Sequence, residues 1–129
     1  MTSALVDGLR QAVGPSHVLT GTDMAGYRQD WMQRYVADPL AVVRPANTEE
    51  VATCLKLAAK AGVPVVPVGG KTGLVGGIMT TGGLMVSLER MNRIRELRAG
   101  ARIVVAEAGV ILSRLHEAAE AEGLYFPLW

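Results

Sequence analysis

The chain has 129 residues, 50% hydrophobic and 19% charged, a composition that is ordinary for one globular domain and excludes a largely disordered protein. Its formal net charge of +1 and its 5% of aromatic residues give no basis for binding nucleic acid or an anionic membrane. The single cysteine, Cys54, excludes an intrachain disulfide and a multi-cysteine metal site.

The chain begins with a predicted helix, Thr2 to Val13, which Gly14-Pro15 ends. Its apolar face carries Leu5, Leu9, Ala12 and Val13. After a brief extended piece, the stretch from Thr20 to Arg34 has no clean period. Tyr27 and Trp31 lie four residues apart there and could share a helical face. We expect them to anchor an irregular segment by packing; the alternative places them beside a bound cofactor.

Pro39 to Arg44 is the first clear strand, apolar throughout and expected to be buried on both faces. A helix follows, with Asn47 as its cap, Glu50 completing the capping pair, and Gly62 as its end. Its predicted buried stripe comprises Val51, Cys54, Leu55, Ala58 and Ala59. Cys54 is therefore expected to be a small core residue and not a reactive thiol.

Strand Val63 to Val68 completes a strand–helix–strand unit of the kind that builds a parallel sheet. Pro64 and Pro67 cannot donate to a ladder, so we expect limited pairing on one side of this strand. Seven of the 15 glycines then lie within residues 63–83. Glycines after a strand allow the backbone N–H groups to approach an anion such as phosphate, although ordinary turns use glycine as well.

Two common nucleotide motifs do not fit these glycines. GGKT resembles the end of a Walker A loop, but that motif requires glycine where Val65 stands, and residues 74–83 do not form a helical pattern. The G-x-G-x-x-G dinucleotide pattern is absent too. ATP and NAD are therefore poor candidates, and a diphosphate of another cofactor remains.

The pattern changes beyond Gly83. Short strands are predicted at Leu84–Leu88, Ile94–Leu97 and Arg102–Ala106, followed by a helix from Val110 to Glu122 with Leu112, Leu115 and Ala119 on its apolar face. We expect these strands to form an antiparallel sheet in a second subdomain that begins near Thr80. His116 is expected to be structural. No carboxylate pair, Ser–His–Asp set or metal-ligand cluster is evident, so we predict no catalytic and no metal residues.

The segment VPVGGKTGLVGG resembles the diphosphate-binding segment of the FAD-linked oxidase family, which has the vanillyl-alcohol oxidase / p-cresol methylhydroxylase type of FAD domain. The resemblance continues in YRQDWMQRY, AVVRPANTEEVATCLKLAAKAG, LMVSLERMNRI and VVAEAGVILSRLHEAAEAEGLYFPL, from about Thr20 onward. It is strongest to the D-2-hydroxyglutarate and D-lactate dehydrogenases. The predicted fold is α/β (α+β): residues 1–79 form a small parallel βαβ part ending in the glycines, and residues 80–129 begin the antiparallel subdomain.

The resemblance implies FAD as cofactor and a small-molecule 2-hydroxy acid, such as D-lactate, D-2-hydroxyglutarate or glycolate, as substrate of the intact protein. The implied cofactor-binding residues are Pro67, Val68, Gly69, Gly70, Lys71, Thr72, Gly73, Gly76 and Gly77. The family usually has Gly or Asn where Lys71 stands, and two roles stay open for this lysine: added charge toward phosphate, or exposure to solvent.

The family continues past Trp129 with a second glycine-rich segment and a substrate domain, so we expect this chain to be an N-terminal fragment. The family also has an acidic residue where Trp129 stands, which suggests an altered end. We predict no dehydrogenase activity for the fragment alone, self-association through its unpaired edge, and a cytoplasmic location, because no signal peptide or long apolar run is present. The competing interpretation is a non-catalytic nucleotide-binding or protein-interaction module.

Overall fold

The computed structural model describes residues 2–128. The interpretation of Trp129 as an altered end lies outside the described residues. The first helix, α1, spans Thr2–Val13 as predicted, and its buried face includes Leu5, Leu9 and Val13. Gly14, with φ of 89°, then turns the chain into a short 3₁₀ helix at Pro15–His17.

A four-stranded sheet forms the centre of the fold. Its strands are β1 (Val18–Leu19), β2 (Ala41–Val43), β3 (Val65–Val68) and β4 (Leu84–Ser87), in the spatial order β1-β2-β4-β3. β2, β4 and β3 are parallel, and β1 pairs antiparallel with β2. β3 therefore lies at an edge, where Pro67 within it and Pro64 just before it cost no ladder hydrogen bond on the open side, as predicted.

Helix α2, Thr48–Ala61, connects β2 to β3 and has the predicted caps. Asn47 Oδ1 accepts from the Glu50 N–H at 2.9 Å, and the Glu50 carboxylate accepts from the Ala46 N–H at 2.7 Å. Gly62 ends the helix in the left-handed conformation. The predicted buried stripe is only partly right. Cys54 and Ala58 are buried, as expected, but Val51 is half-buried, and Leu55 and Ala59 face solvent.

The alternation of side chains along the central strands gives the sheet two packed faces. One face, with Ala41, Val43, Leu84 and Val86, packs against α1 and α2. The other, with Val42, Val68 and Met85, packs against Met24, Tyr27 and Ala37 from the segment between β1 and β2. The helices therefore cover one face and an irregular segment covers the other.

That segment is not an α-helix that carries Tyr27 and Trp31 on one face. Residues Gly21–Tyr27 form a 3₁₀ helix, and the chain then turns, so Tyr27 is buried while Trp31 is 68% exposed. Tyr27 packs in the core as expected, but Trp31 does not anchor the segment. Asp30 does so instead, since its buried carboxylate accepts from the Tyr35 N–H at 2.8 Å and the Met32 N–H at 3.3 Å.

One strand assignment is wrong. The run Leu84–Leu88 was expected to begin the antiparallel sheet, but β4 lies between β2 and β3 as a fully buried parallel strand. An apolar run has the same appearance in either setting, and its pairing partners are remote in sequence. The division of the chain at residue 80 stays a prediction.

The rest of the chain forms a smaller antiparallel unit, as predicted. β5 (Ile94–Arg98) pairs with β6 (Ile103–Ala106), and helix α3 spans Leu112–Ala121. The α/β class with a parallel-containing sheet and a separate antiparallel sheet is thus confirmed. Glu107, just after β6, is buried and accepts from the Arg93 side chain at 2.9 Å and from the Arg93 backbone N–H at 2.9 Å, and these bonds are the main cause that lowers the pKa of Glu107 to about 2.

Candidate functional site

The glycine-rich stretch leaves the sheet at the carboxyl end of β3, the edge at which open α/β sheets bind ligands. Pro67 and Val68 are the last residues of that strand, opposite Val86 and Ser87 of β4. Val68 is buried and its carbonyl accepts from the Leu88 N–H at 2.9 Å. These two residues therefore fix where the following glycine loop, residues 69–73, begins.

The glycines of this loop have no reason in the fold to be glycine. Gly69, Gly70 and Gly73 lack the left-handed backbone, and a Cβ added at any of them would meet nothing within 4 Å. The same holds for Gly77. All four are solvent-exposed. Their missing side chains leave open space beside the backbone, as a cradle for a ligand requires.

Gly76 is different, because the fold itself requires glycine there. Its φ is +70°, and an added Cβ would lie 3.0 Å from the ring of Tyr35. Its carbonyl also accepts from the Met79 N–H at 3.0 Å in a tight turn. Gly76 is therefore explained by backbone geometry and packing before any ligand is considered.

Lys71 adopts the left-handed conformation inside the loop, with φ of 60°. This geometry explains why Gly or Asn suits the position, since both tolerate positive φ well. The lysine side chain does not extend into solvent. Its Nζ donates to the Gly26 carbonyl at 3.2 Å and lies 4.2 Å from the centre of the Tyr27 ring. Thr72, beside it, is exposed.

The loop forms one wall of a cleft of about 600 Å³, within the range of roughly 300–1,000 Å³ that is usual for small-molecule sites. The residues that line it are Gly69, Gly70, Lys71, Thr72, Glu89, Asn92, Gly109, Val110, Ile111, Leu112 and Arg114. Of the predicted cofactor residues, the structure thus brings four to this cleft. The other predicted cofactor residues, which are not among those that line the cleft, are Pro67, Val68, Gly73, Gly76 and Gly77.

Sequence reasoning missed the opposite side of the cleft. Glu89 and Asn92 lie two and five residues after the end of β4, and Arg114 lies in the first turn of α3. The missing signal was the position of β4, because its carboxyl end meets that of β3 once the two strands are paired. The side chains of Lys71 and Arg114 bring positive charge to the lining and that of Glu89 brings negative charge.

A network of polar contacts holds Glu89, one of the residues that line the cleft. The Tyr27 hydroxyl donates to Glu89 Oε2 at 2.9 Å, and Arg44 donates to Glu89 Oε1 at 3.2 Å. Arg44 also donates to the Ser16 carbonyl at 2.7 Å. Burial raises the pKa of Tyr27, so its phenol remains a neutral donor at physiological pH.

The other candidates from the sequence do not lie in this cleft. Cys54 is fully buried on the inner face of α2, and burial raises the pKa of its thiol to about 11, as suits a core residue. A ring nitrogen of His116 lies 2.7 Å from the Leu128 carbonyl. Among residues 2–128 no group of three or more His, Cys, Asp or Glu side chains could hold a metal ion. No helix in the described part of the chain is long and apolar enough to cross a bilayer.

Chemically, this arrangement suits binding rather than proton transfer. The backbone N–H groups of the glycine loop, a hydroxyl at Thr72 and a nearby ammonium can hold an anion. Within the described residues, the carboxylate at the cleft, Glu89, is engaged by Tyr27 and Arg44. The cleft therefore offers a place to hold and orient a phosphate-bearing molecule.

Comparisons with known proteins match most of the chain. A family model described as "FAD binding domain" matches residues 39–129. The chain is 38% identical over 130 residues to D-2-hydroxyglutarate dehydrogenase of Xanthomonas citri pv. viticola, covering 99% of this chain and 28% of that protein. It is 35% identical over 130 residues to D-lactate dehydrogenase of Anaerostipes hadrus, covering 98% of this chain and 27% of that protein.

Solved structures with the same fold include 4-ethylphenol oxidase from Gulosibacter chungangensis, with a TM-score of 0.83 and 26% identity over 94% of this chain and 24% of that chain. A structure of p-cresol methylhydroxylase matches with a TM-score of 0.81, covering 95% of this chain and 25% of that chain; at 21% identity it shows the fold alone. The chain spans roughly a quarter of the length of these relatives.

Proposed function

The chain belongs to the FAD binding domain family, with the vanillyl-alcohol oxidase / p-cresol methylhydroxylase type of fold, and from this premise we propose that its glycine loop holds the diphosphate of FAD. The cofactor itself follows from the family. The proposal concerns which residues of this chain hold it, and how.

One observation carries the proposal. Gly69, Gly70 and Gly73 are glycine where neither backbone conformation nor packing demands it. Glycine is costly in an ordered chain, because it loses more conformational freedom on folding than other residues. A ligand that occupies the space of the missing side chains accounts for three such glycines within five residues.

Each loop residue has a distinct proposed task. The backbone N–H groups of residues 69–73 donate to the diphosphate oxygens, and Thr72 adds its hydroxyl. Lys71 contributes charge from its position beside Tyr27. Pro67 and Val68 set the start of the loop at the sheet edge, and Gly76-Gly77 let the chain continue past the cofactor.

For the intact protein we propose oxidation of a small D-2-hydroxy acid, supported by the names of the two dehydrogenases that match nearly all of this chain. FAD, when bound, supplies the acceptor for a hydride from the carbon that bears the hydroxyl. The residues described here bind and orient that cofactor. The proposed substrate rests on relatives of which this chain covers about a quarter.

The experiment is a set of titrations of the 129-residue chain, followed by flavin fluorescence and by competition. FAD is compared with riboflavin, which lacks the diphosphate, and with ADP, which has the diphosphate but no flavin. We expect FAD to bind, ADP to compete with it, and riboflavin to bind far more weakly. Equal binding of FAD and riboflavin, with no competition by ADP, would remove the diphosphate from the proposal.

Activity is tested separately. We predict that this chain alone, supplied with FAD, does not reduce a dye with D-lactate or D-2-hydroxyglutarate, because no base or carboxylate clamp was evident in its sequence. Turnover above a protein-free control would contradict this prediction. The cytoplasmic location and self-association expected from the sequence also stay predictions.

A further inference from the structure

Lys71 holds an unfavourable backbone conformation for a residue with a long side chain. Its φ of 60° is in the left-handed region, which bulky L-residues rarely adopt. Such geometry persists where surrounding contacts over-determine it, and it concentrates at ligand sites. The contacts that hold Lys71 are therefore informative about how the loop is maintained.

Two contacts hold the side chain, and both come from the 3₁₀ segment Gly21–Tyr27. The ammonium donates to the Gly26 carbonyl at 3.2 Å and lies 4.2 Å from the centre of the Tyr27 ring. At this distance an ammonium is attracted to the electron-rich face of the ring. The loop is thus tied to a segment that is remote in sequence and firmly packed on the sheet.

Tyr27 is in turn fixed from its other end. Its ring is buried against the sheet, and its hydroxyl donates to Glu89 Oε2 at 2.9 Å. Arg44 holds the second oxygen of Glu89 at 3.2 Å. The position of the aromatic face that receives Lys71 is therefore determined by the core on one side and by a paired carboxylate on the other.

Tyr27 joins two residues that lie after adjacent strands of the sheet. Lys71 follows β3 and Glu89 follows the adjacent strand β4, and both line the cleft, whereas Tyr27 does not. Building on the proposed function, we infer that Tyr27 is a positioning residue of the cofactor cleft: it holds Lys71 on its ring and Glu89 on its hydroxyl, and so fixes the glycine loop in its ligand-ready conformation.

The test uses four single variants and one double variant of the 129-residue chain. Tyr27→Leu removes the ring face, and Tyr27→Phe keeps the face but removes the bond to Glu89. Lys71→Met removes the ammonium at similar length, and Lys71→Arg retains a cation for the ring. The double variant combines Tyr27→Leu with Lys71→Met. Met24→Ala is the matched control, because Met24 is buried in the same 3₁₀ segment and the same core cluster.

Hydrogen exchange of the amides of residues 69–73 is measured without ligand, well below the melting temperature. FAD dissociation constants are measured in parallel. We expect Tyr27→Leu and Lys71→Met each to speed loop exchange and to weaken FAD binding by about threefold to tenfold, the size of a partly exposed cation–π contact. The effect of the double variant should be smaller than the sum of the two single effects, because both changes break the same contact between Lys71 and Tyr27. Lys71→Arg should keep most of the loop protection and FAD affinity that Lys71→Met loses. Tyr27→Phe should fall between the unaltered chain and Tyr27→Leu.

Met24→Ala should lower the melting temperature without a selective effect on the loop. If Tyr27→Leu behaves like Met24→Ala, with a lower melting temperature but unchanged hydrogen exchange in the loop, Tyr27 is only a packing residue and the inference is overturned. The exchange measurement needs no cofactor. If the unaltered chain fails to bind FAD, the proposed function fails, while the exchange data still decide whether Tyr27 fixes the loop.

Discussion

Gly70 allows a glycine kept for a ligand to be distinguished from a glycine kept for the fold. The proposed change is Gly70→Ala, which adds one methyl group at an exposed position of the glycine loop. The structure places no atom within 4 Å of that methyl group, and the backbone is not left-handed. The fold should therefore accept alanine.

Gly70→Ala is expected to change stability and FAD binding in opposite directions. Where the native backbone suits alanine, replacing glycine stabilises a protein by roughly 0.4–1 kcal/mol, because the unfolded chain loses freedom. If the methyl group prevents a backbone N–H from reaching a phosphate oxygen, the lost hydrogen bond to a charged group costs about 1.5–3 kcal/mol. That loss corresponds to a dissociation constant for FAD that is higher by about 10- to 150-fold.

Gly62→Ala is the matched control. Gly62 ends α2 with φ of +67°, and a Cβ there would also meet nothing within 4 Å, so only the backbone conformation requires glycine. Alanine should cost on the order of 1–2 kcal/mol there, which is a fall of roughly 4–8 °C in melting temperature for a domain of this size. FAD affinity should be unchanged in this control.

The assay combines FAD titration with thermal melting of the unaltered chain, Gly70→Ala and Gly62→Ala. We expect the two variants to separate: Gly70→Ala loses affinity and keeps its melting temperature, and Gly62→Ala does the reverse. If Gly70→Ala binds FAD as well as the unaltered chain and melts at a lower temperature, the loop is an ordinary turn and the cofactor assignment to these residues is wrong.

Three further predictions concern the rest of the chain. Hydrogen bonds from Arg93 lower the pKa of Glu107 from 4.5 to about 2. The ionised carboxylate therefore stabilises the fold fully above about pH 4.5, and this stabilisation is lost as the pH falls toward 2. The difference in melting temperature between the unaltered chain and Glu107→Gln should close over that range, and a constant difference would refute this. Cys54, with its pKa raised to about 11, should react with a thiol reagent at pH 8 only on unfolding, and rapid native labelling would contradict its burial. Exposed Ile103 and Val105 on β6 should promote concentration-dependent association, which sedimentation measures and which replacing both residues with lysine should reduce. A monomer at all concentrations would count against self-association through the unpaired edge.

Local signals in the sequence were sufficient for the helices that begin and end with strong signals. Gly14-Pro15 marks the end of α1, and Asn47 with Gly62 marks both ends of α2. Capping and helix termination depend on residues within one turn of each other, so one sequence contains the whole signal. The same is true of β3, because Pro67 within it and Pro64 just before it predict its place at an edge.

The positions of β4 and Trp31 depended on tertiary contacts. The order β1-β2-β4-β3 places β4 beside strands that are about 20 and 40 residues away in the chain, which no local pattern encodes. The four-residue spacing of Tyr27 and Trp31 suggested a shared helical face. The carboxylate of Asp30 instead accepts from the backbone N–H groups of Met32 and Tyr35, and this stabilises a turn in place of a helix.

For the site, the sequence located the loop but not what supports it. Glycine spacing and the edge rule for α/β sheets were enough to single out residues 69–73. Lys71 contacts Gly26 and Tyr27, which lie 45 and 44 positions before it in the chain. The two surroundings that the sequence suggested for its side chain, phosphate and solvent, did not include these contacts. The left-handed backbone of Lys71 was equally invisible, because lysine gives no sequence signal for positive φ.

The short turn after β4 has a mechanical consequence. Its Glu89 side chain holds Tyr27 and, through it, the glycine loop. Its backbone holds the other side of the cleft, because Gly109 packs directly on the Leu88 carbonyl and donates to the Met91 carbonyl at 2.9 Å. Residues 88–91 thus hold both walls of the cleft, and the distance between the two walls should vary little. A side chain at position 109 would push one wall away from this turn and widen the opening, although position 109 lies far in sequence from the glycine loop.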